Sequence, residues 1–181
     1  FDTNINSFTC ANVGANTVVL TATDVNGNSS TCSAIVTVED NTVPVATCQD
    51  ITVELDNSGV ATIAENAVNG GSTDACAGLT FDTDINAFTC SNVGANTVIL
   101  SVTDVNGNSS TCSAIVTVED NVAPIAVCQN ITVQLNSSGN ASIAEDAVNN
   151  GSSDACDGLS FDTDITAFTC SNVGANTVVL T

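Results

Sequence analysis

Apolar and polar residues alternate with a period of two along several short stretches of the chain. The clearest stretches are TVILSVT at 97 to 103 and SAIVTV at 113 to 118, and both are rich in β-branched side chains. This alternation places successive side chains on opposite faces of a β-strand. Between the two lies DVNGNS at 104 to 109, whose Asn106-Gly107 pair favours a type I′ turn. The pattern therefore predicts an antiparallel hairpin.

A second pair of short segments, ITVQL at 131 to 135 and ASIA at 141 to 144, flanks the turn residues NSSGN. We expect these segments to form another hairpin. Helical periodicity is confined to a short turn at 144 to 149. Many short strands at this spacing are typical of all-β domains, and the predicted fold is a series of immunoglobulin-like antiparallel β-sandwiches.

The sequence repeats itself with a fixed period of about 80 residues. The string FDTNINSFTCANVGANTVVL at Phe1 returns as FDTDINAFTCSNVGANTVIL at Phe81 and as FDTDITAFTCSNVGANTVVL at Phe161. Positions 1 to 80 align with positions 81 to 160 without a gap, and roughly three-quarters of them are identical. A fixed period of this kind predicts a tandem array, in which each copy has neighbouring repeats of the same chain as its partners.

Composition changes this picture by excluding several functions. The chain has 20 Asp and Glu residues against no Lys, Arg or His, for a net charge of −20. A nucleic-acid surface needs Lys or Arg to displace counterions, so we expect no nucleic-acid partner. No apolar run approaches the length of a membrane span, and no signal peptide opens the sequence. A hydrophobic content of 43% nevertheless indicates a folded chain.

Nine cysteines recur at fixed positions within the period. They are Cys10, Cys32, Cys48 and Cys76, then Cys90, Cys112, Cys128 and Cys156, and finally Cys170. Four cysteines per period predict two disulfides per domain in an oxidising, extracellular compartment. Structural zinc is the alternative, but the chain has no histidine and no CxxC pair.

Several motifs resemble known repeat families. The run TVILSVTDVNGNSSTCSAIVTVEDNVAPIAVCQNITVQL is similar to hyalin-type repeats, which are immunoglobulin-like modules. The combination of VCQNITVQL, GSSDAC, FTCSNVGANTV and VEDNVAP resembles repeats of giant cell-surface adhesins of Bacteroidota, including gliding-motility adhesins exported by type 9 secretion. The resemblance implies a cell-surface filament. The sequence departs from the hyalin pattern in its extra Cys before VGANT, so the disulfide connectivity cannot be copied from that family.

The resemblance gives a domain frame. We expect one complete β-sandwich repeat over residues 43 to 122. It would be preceded by the C-terminal part of a repeat at 1 to 42 and followed by the N-terminal part of another at 123 to 181. The connection VEDNVAP at 118 to 124 is short and contains proline, so little bending is expected there.

Two disulfide pairings fit one domain of this frame. The first joins Cys48 to Cys112 and Cys76 to Cys90; the second joins Cys48 to Cys76 and Cys90 to Cys112. We favour the first, because the first and last strands of an immunoglobulin-like sandwich can run side by side and bring their starts within bridging distance. A local bridge would then close the short segment AGLTFDTDINAFT between Cys76 and Cys90.

Oxygen-bearing side chains suggest a calcium site. Asp104 and Asn108 on the hairpin, with Glu119 and Asp120 at the junction, are ligands of the type that Ca²⁺ prefers, and the chain has no cation to neutralise them. The alternative is a solvated acidic surface that keeps the array soluble and extended. We expect no required cofactor.

Three classes of function follow. A structural stalk or filament, extending a cell-surface adhesin from the cell, needs only rigidity, repetition and secretion. A ligand-binding adhesin module that recognises glycans or surfaces is the second reading, although Trp, Tyr and Arg are missing from the loops. A hydrolase is the third, with only carboxylates and hydroxyls for acid-base chemistry. We expect the chain to be a non-enzymatic structural segment. Other copies of the chain in a filament are its further expected partners.

Overall fold

The chain folds as an all-β protein. The structure, a computed structural model, describes all residues, 1 to 181. Its strands are β1 Asp2–Thr3, β2 Gly14–Thr23, β3 Ser29–Val38, β4 Ile51–Glu54, β5 Val60–Thr62, β6 Thr80–Thr83, β7 Ala87–Thr89, β8 Gly94–Thr103, β9 Ser109–Glu119, β10 Asn140–Ser142 and β11 Ala167–Thr169. Three single-turn 3₁₀ helices lie at Cys10–Asn12, Cys90–Asn92 and Cys170–Asn172. None of the helices is long and apolar enough to cross a membrane.

The predicted hairpin at Asn106-Gly107 is confirmed. Strands β8 and β9 are neighbours in one sheet and flank this turn. In β8 the alternate residues Val98, Leu100 and Val102 are fully buried, as the period-two pattern requires. In β9 the buried positions are Ala114, Val116 and Val118, again two apart. These two strands carry most of the aliphatic core.

The turn itself differs from the predicted type. A type I′ turn needs positive φ at both central residues, but within the loop only Gly107 has one, at +92°. The Gly107 N–H donates to the Asp104 carbonyl at 3.3 Å, and the Asp104 N–H donates to the Asn108 carbonyl at 3.0 Å. In this loop a tight turn is followed by one left-handed glycine. These hydrogen bonds of Asp104 close the turn, and Gly107 is its one residue with positive φ.

The predicted second hairpin is wrong. Residues 131 to 135 form no strand, and β10 pairs instead with β11, with Ala141 opposite Phe168. The same arrangement occurs one period earlier, where β5 pairs with β7 and Ala61 lies opposite Phe88. There β4 precedes the turn but belongs to another sheet. The turn residues therefore carry the chain from one sheet to the next, which their composition alone does not reveal.

Strand order agrees with the expected adjacency of first and last strands. The four-stranded sheet has the order β4-β9-β8-β6, so β4 lies directly beside β9. A separate three-stranded sheet has the order β1-β2-β3, with Gly14 opposite Val38 and Thr23 opposite Ser29. Strands β2 and β3 lie one period before β8 and β9 in the sequence. The immunoglobulin-like sandwich and its tandem arrangement stay predictions.

The chain divides into two compact units. The first comprises residues 1–51, 63–86 and 97–116, and its buried side chains include Val68, Val98 and Leu100. The second comprises residues 52–62, 87–96 and 117–181, and its core contains Phe88, Val148 and Phe168. Phe88 and Phe168 occupy equivalent positions one period apart and are both buried. The domain frame predicted from the sequence stays a prediction.

Candidate functional site: staggered disulfides and acidic turns

Six of the nine cysteines form three disulfides. Cys10 is bonded to Cys76, with the Cα atoms 5.2 Å apart, and Cys48 is bonded to Cys112 at 5.8 Å. The third bond joins Cys90 to Cys156, with a Cα separation of 5.1 Å. All three separations fall in the usual range for disulfides. The pairing of Cys48 with Cys112 is the one favoured from the sequence, and it follows from the adjacency of β4 and β9.

The predicted local bridge between Cys76 and Cys90 is absent. Cys76 is bonded to Cys10 and Cys90 to Cys156, so both cysteines reach partners 66 residues away. The physical reason lies in the segment between them, which contributes β6 to the four-stranded sheet and β7 to the pair β5-β7. Its two strands therefore pair with different partners, β6 with β8 and β7 with β5. The alternative pairing, Cys48 with Cys76 and Cys90 with Cys112, is absent as well.

Local structure places the cysteines at 10, 90 and 170 in the same way. Each begins a single-turn 3₁₀ helix that follows a threonine and ends at an asparagine. At the middle copy the Asn92 side-chain oxygen accepts a hydrogen bond from the Thr89 N–H at 2.9 Å. The Asn96 side chain then donates to the Asn92 carbonyl at 2.7 Å and holds the next turn. The sequence TCSNVGAN therefore builds a small rigid platform for the sulfur.

Three cysteines carry free thiols, although the sequence analysis assigned them to disulfides. Cys32, Cys128 and Cys170 are unpaired and exposed. Cys32 lies one period before Cys112, Cys128 lies one period after Cys48, and Cys170 lies one period after Cys90. The equivalent cysteines Cys112, Cys48 and Cys90 are all in disulfides.

The acidic hairpin turn is an internally satisfied structure. Oδ1 of Asp104 accepts hydrogen bonds from the backbone N–H groups of Asn106 at 2.9 Å and Asn108 at 2.8 Å, and Oδ2 accepts one from the Asn108 side chain at 2.8 Å. Burial raises the pKa of Asp104, but the hydrogen bonds from Asn108 and the neighbouring backbone outweigh it and hold the pKa below its ordinary value. Asp24 repeats this turn one period earlier, and its pKa is lowered chiefly by Asn28.

The turn also contacts an aspartate that the sequence analysis did not single out. Asn106 donates through its side chain to a carboxylate oxygen of Asp40 at 3.0 Å, and Asn108 donates to the Asp40 carbonyl at 2.9 Å. Asp40 lies one period before Asp120. The hairpin therefore contacts the VEDN motif of the preceding period. No local pattern links residues so far apart in the sequence, which explains why this contact was missed.

The four predicted calcium ligands are divided between the two compact units. Asp104 and Asn108 lie together in the first compact unit, whereas Glu119 and Asp120 belong to the second. A carboxylate oxygen of Glu119 accepts from the Asn121 side chain at 3.3 Å, and Oδ1 of Asp120 accepts from the Val122 N–H at 3.1 Å. The groups with close ligand atoms are Asp40 with Asp74 and Cys76, and Asp120 with Asp154 and Cys156. Both cysteines are in disulfides and offer no thiolate, which leaves two carboxylates in each group. Calcium binding stays a prediction.

The second unit contains an open groove of about 870 Å³. Residues 128 to 135 form one wall, and the other includes Phe168 and residues 172 to 176. Ile131 and Val133 are 41% and 40% exposed there. One period earlier the equivalent residues, Ile51 and Val53, lie in β4 beside β9. The groove thus has the position that a strand covers in the preceding copy, and its lining residues include no Asp, Glu or His.

Comparison with known proteins gives one relative and no family model. The chain is 34% identical over 128 aligned residues, covering 61% of its length, to the "Serine-rich adhesin for platelets" of Staphylococcus aureus. The aligned region is 5% of that protein. No model of a protein family matches the chain. The chain is therefore similar to a short part of a surface adhesin.

Proposed function

We propose that this chain is a non-enzymatic structural segment of an extracellular stalk or filament, which extends a cell-surface adhesin from the cell. The observation that carries the proposal is the pair of long-range disulfides, Cys10–Cys76 and Cys90–Cys156. In the predicted domain frame, each of these bridges joins residues of two consecutive domains, whereas Cys48–Cys112 lies inside one. A bond of this kind resists the separation of neighbouring domains under load.

Charge and similarity support the same function. A net charge of −20 without a single Lys, Arg or His leaves the acidic groups with no internal counter-ion. Repulsion between like charges disfavours a collapsed array and keeps it soluble. Three structural disulfides are typical of proteins outside the cytosol. The similarity to a region of a bacterial adhesin favours the cell surface as the location.

Small-angle scattering tests the stalk directly. The chain would be compared with a version that carries one further copy of residues 43 to 122. For strands of about 8 to 10 residues, the added copy is expected to lengthen the particle by roughly 30 to 40 Å without widening it. A compact particle whose cross-section grows with the extra copy would contradict the stalk.

The ligand-binding adhesin is the competing function, and a binding assay separates the two. The relative is named as an adhesin for platelets, so binding of this chain to washed platelets is the sharpest trial. We expect the chain to bind no better than a fully reduced and alkylated control. Saturable binding of the native chain alone would make it an adhesive module rather than a spacer.

A further inference from the structure

The three disulfides overlap along the chain. Cys10–Cys76 and Cys90–Cys156 each span 66 residues, and Cys48–Cys112 spans 64 residues. Cys48 lies within the first span and Cys112 within the last, so the middle bridge interlocks with both. The segment from Cys76 to Cys90 lies between the two outer bridges, and neither of them spans it.

We infer that the outer bridges make the chain nearly inextensible, with tension running from Cys10 to Cys76, along the segment from Cys76 to Cys90, and from Cys90 to Cys156. The inference deepens the proposed stalk function and rests on it for its biological role. The load path itself follows from the connectivity. The segment expected from the sequence to be closed by a local bridge is instead the stretch of backbone that carries the load between Cys10 and Cys156, because the route past it through Cys48–Cys112 is longer.

The magnitude follows from the reach of an extended chain, about 3.5 Å per residue. From Cys10 to Cys156 the backbone covers about 146 residues, which would extend to about 510 Å. Through the two outer bridges the same ends are joined by about 14 residues, or about 50 Å, plus the two bridge spans. With the bridges intact, loss of every β-ladder between these cysteines therefore separates them by no more than this distance. Reduction of the bridges would release about nine-tenths of the extended length.

The load-carrying segment is itself held at several points. Strand β6 pairs with β8 in antiparallel register, with Thr80 opposite Thr103 and Thr83 opposite Leu100. Strand β7 pairs with β5, and its Phe88 is fully buried. The first extension under force therefore requires that these short ladders separate, after which the covalent path becomes taut.

Single-molecule pulling between the two chain ends tests the inference. The protein would carry Ser in place of Cys32, Cys128 and Cys170, so that only the three native bridges remain. Dithiothreitol then supplies two electrons and two protons per bridge and is itself oxidised to its cyclic disulfide. Full reduction is expected to lengthen the unfolded chain by about 132 residues, or roughly 450 Å.

Paired substitutions distinguish this path from any other. C10S/C76S diverts the load through Cys48–Cys112 and is expected to add about 46 residues, roughly 160 Å. C90S/C156S is expected to add about 58 residues, roughly 200 Å. C48S/C112S is the matched control: it also removes one disulfide, but it leaves the shortest path unchanged and adds nothing.

The contour length of an unfolded chain depends on its covalent connectivity, so a destabilised variant still gives a result once its remaining bridges are mapped. The inference is overturned if C48S/C112S lengthens the unfolded chain. It is also overturned if the protein that keeps all three bridges has the same unfolded length when oxidised and when reduced. A compact particle in scattering together with the expected contour lengths would refute the stalk and leave the load path intact.

Discussion

Gly59 lies against the Cys90–Cys156 disulfide, and its replacement by Ala is the sharpest local test of that site. Gly59 has a φ of +72°, and a Cβ added there would lie 2.6 Å from the Cys90 sulfur and 3.4 Å from the Ala155 Cβ. The bonded sulfur cannot rotate away without breaking the bridge or moving Cys156. Two costs therefore add: the positive φ and the steric overlap.

Gly139 is the matched control, because it holds the same position one period later. Its φ is +79°, and a Cβ there would lie 2.8 Å from the sulfur of Cys170, which is a free thiol able to rotate. The backbone term, about 1–2 kcal/mol, is common to both substitutions. Overlap with a fixed neighbour costs about 1–3 kcal/mol more, and only Gly59→Ala should show it.

The assay is chemical denaturation of both variants, under oxidising conditions and in a C90A/C156A background. We expect Gly59→Ala to lower the free energy of unfolding by about 1–3 kcal/mol more than Gly139→Ala does, and the difference to vanish in that background. Equal losses under oxidising conditions would refute the reasoning. They would mean that the sulfur of Cys90 is not fixed beside Gly59.

Three further outcomes are expected. Phe88→Ala should cost about 3–5 kcal/mol in thermal or chemical unfolding, because the ring is fully buried, whereas Phe1→Ala, at an exposed ring, should cost almost nothing. Because the pKa of Asp104 is lowered in the folded state, its carboxylate stabilises the fold above the ordinary pKa of 3.8, and this stabilisation is lost as the pH falls through the lowered value. The difference in the free energy of unfolding between wild type and Asp104→Asn should therefore shrink in acid. A difference that stays constant with pH would contradict this prediction. Calcium binding by the acidic side chains should raise the melting temperature relative to chelator, and identical melting curves would leave only a solvated acidic surface.

The sequence predicts which segments form strands and turns better than it predicts which strands pair with one another. Alternation identified β8 and β9, because one face of each strand is buried and the period of two is therefore visible. The segment ITVQL at 131 to 135 shows the same pattern, yet it forms no strand, whereas the equivalent residues one period earlier form β4 beside β9. The turn NSSGN also looks like a hairpin turn, because a crossover between sheets uses the same Asn, Ser and Gly residues.

Disulfide connectivity was predictable only where strand order decides it. Cys48 and Cys112 lie near the starts of neighbouring strands, so the expected sandwich topology brought them together. The pairing of Cys76 was wrong, because both pairings considered from the sequence kept its partner within one domain, at Cys90 or Cys48. Its actual partner, Cys10, lies in the preceding period, and nothing in the local sequence points to it. For the same reason the sequence did not predict the contact between the Asp104 turn and Asp40, which also lies in the preceding period.

Disulfide mapping of the non-reduced protein tests the central claim most directly. The chain has no Lys or Arg and therefore no trypsin site, but cleavage at Asp and Glu separates every cysteine from the next. The account predicts cross-linked peptides that join Cys10 to Cys76, Cys48 to Cys112, and Cys90 to Cys156. A peptide that joins Cys76 to Cys90 would contradict it, because each domain would then be closed on itself and the covalent path between domains would be lost.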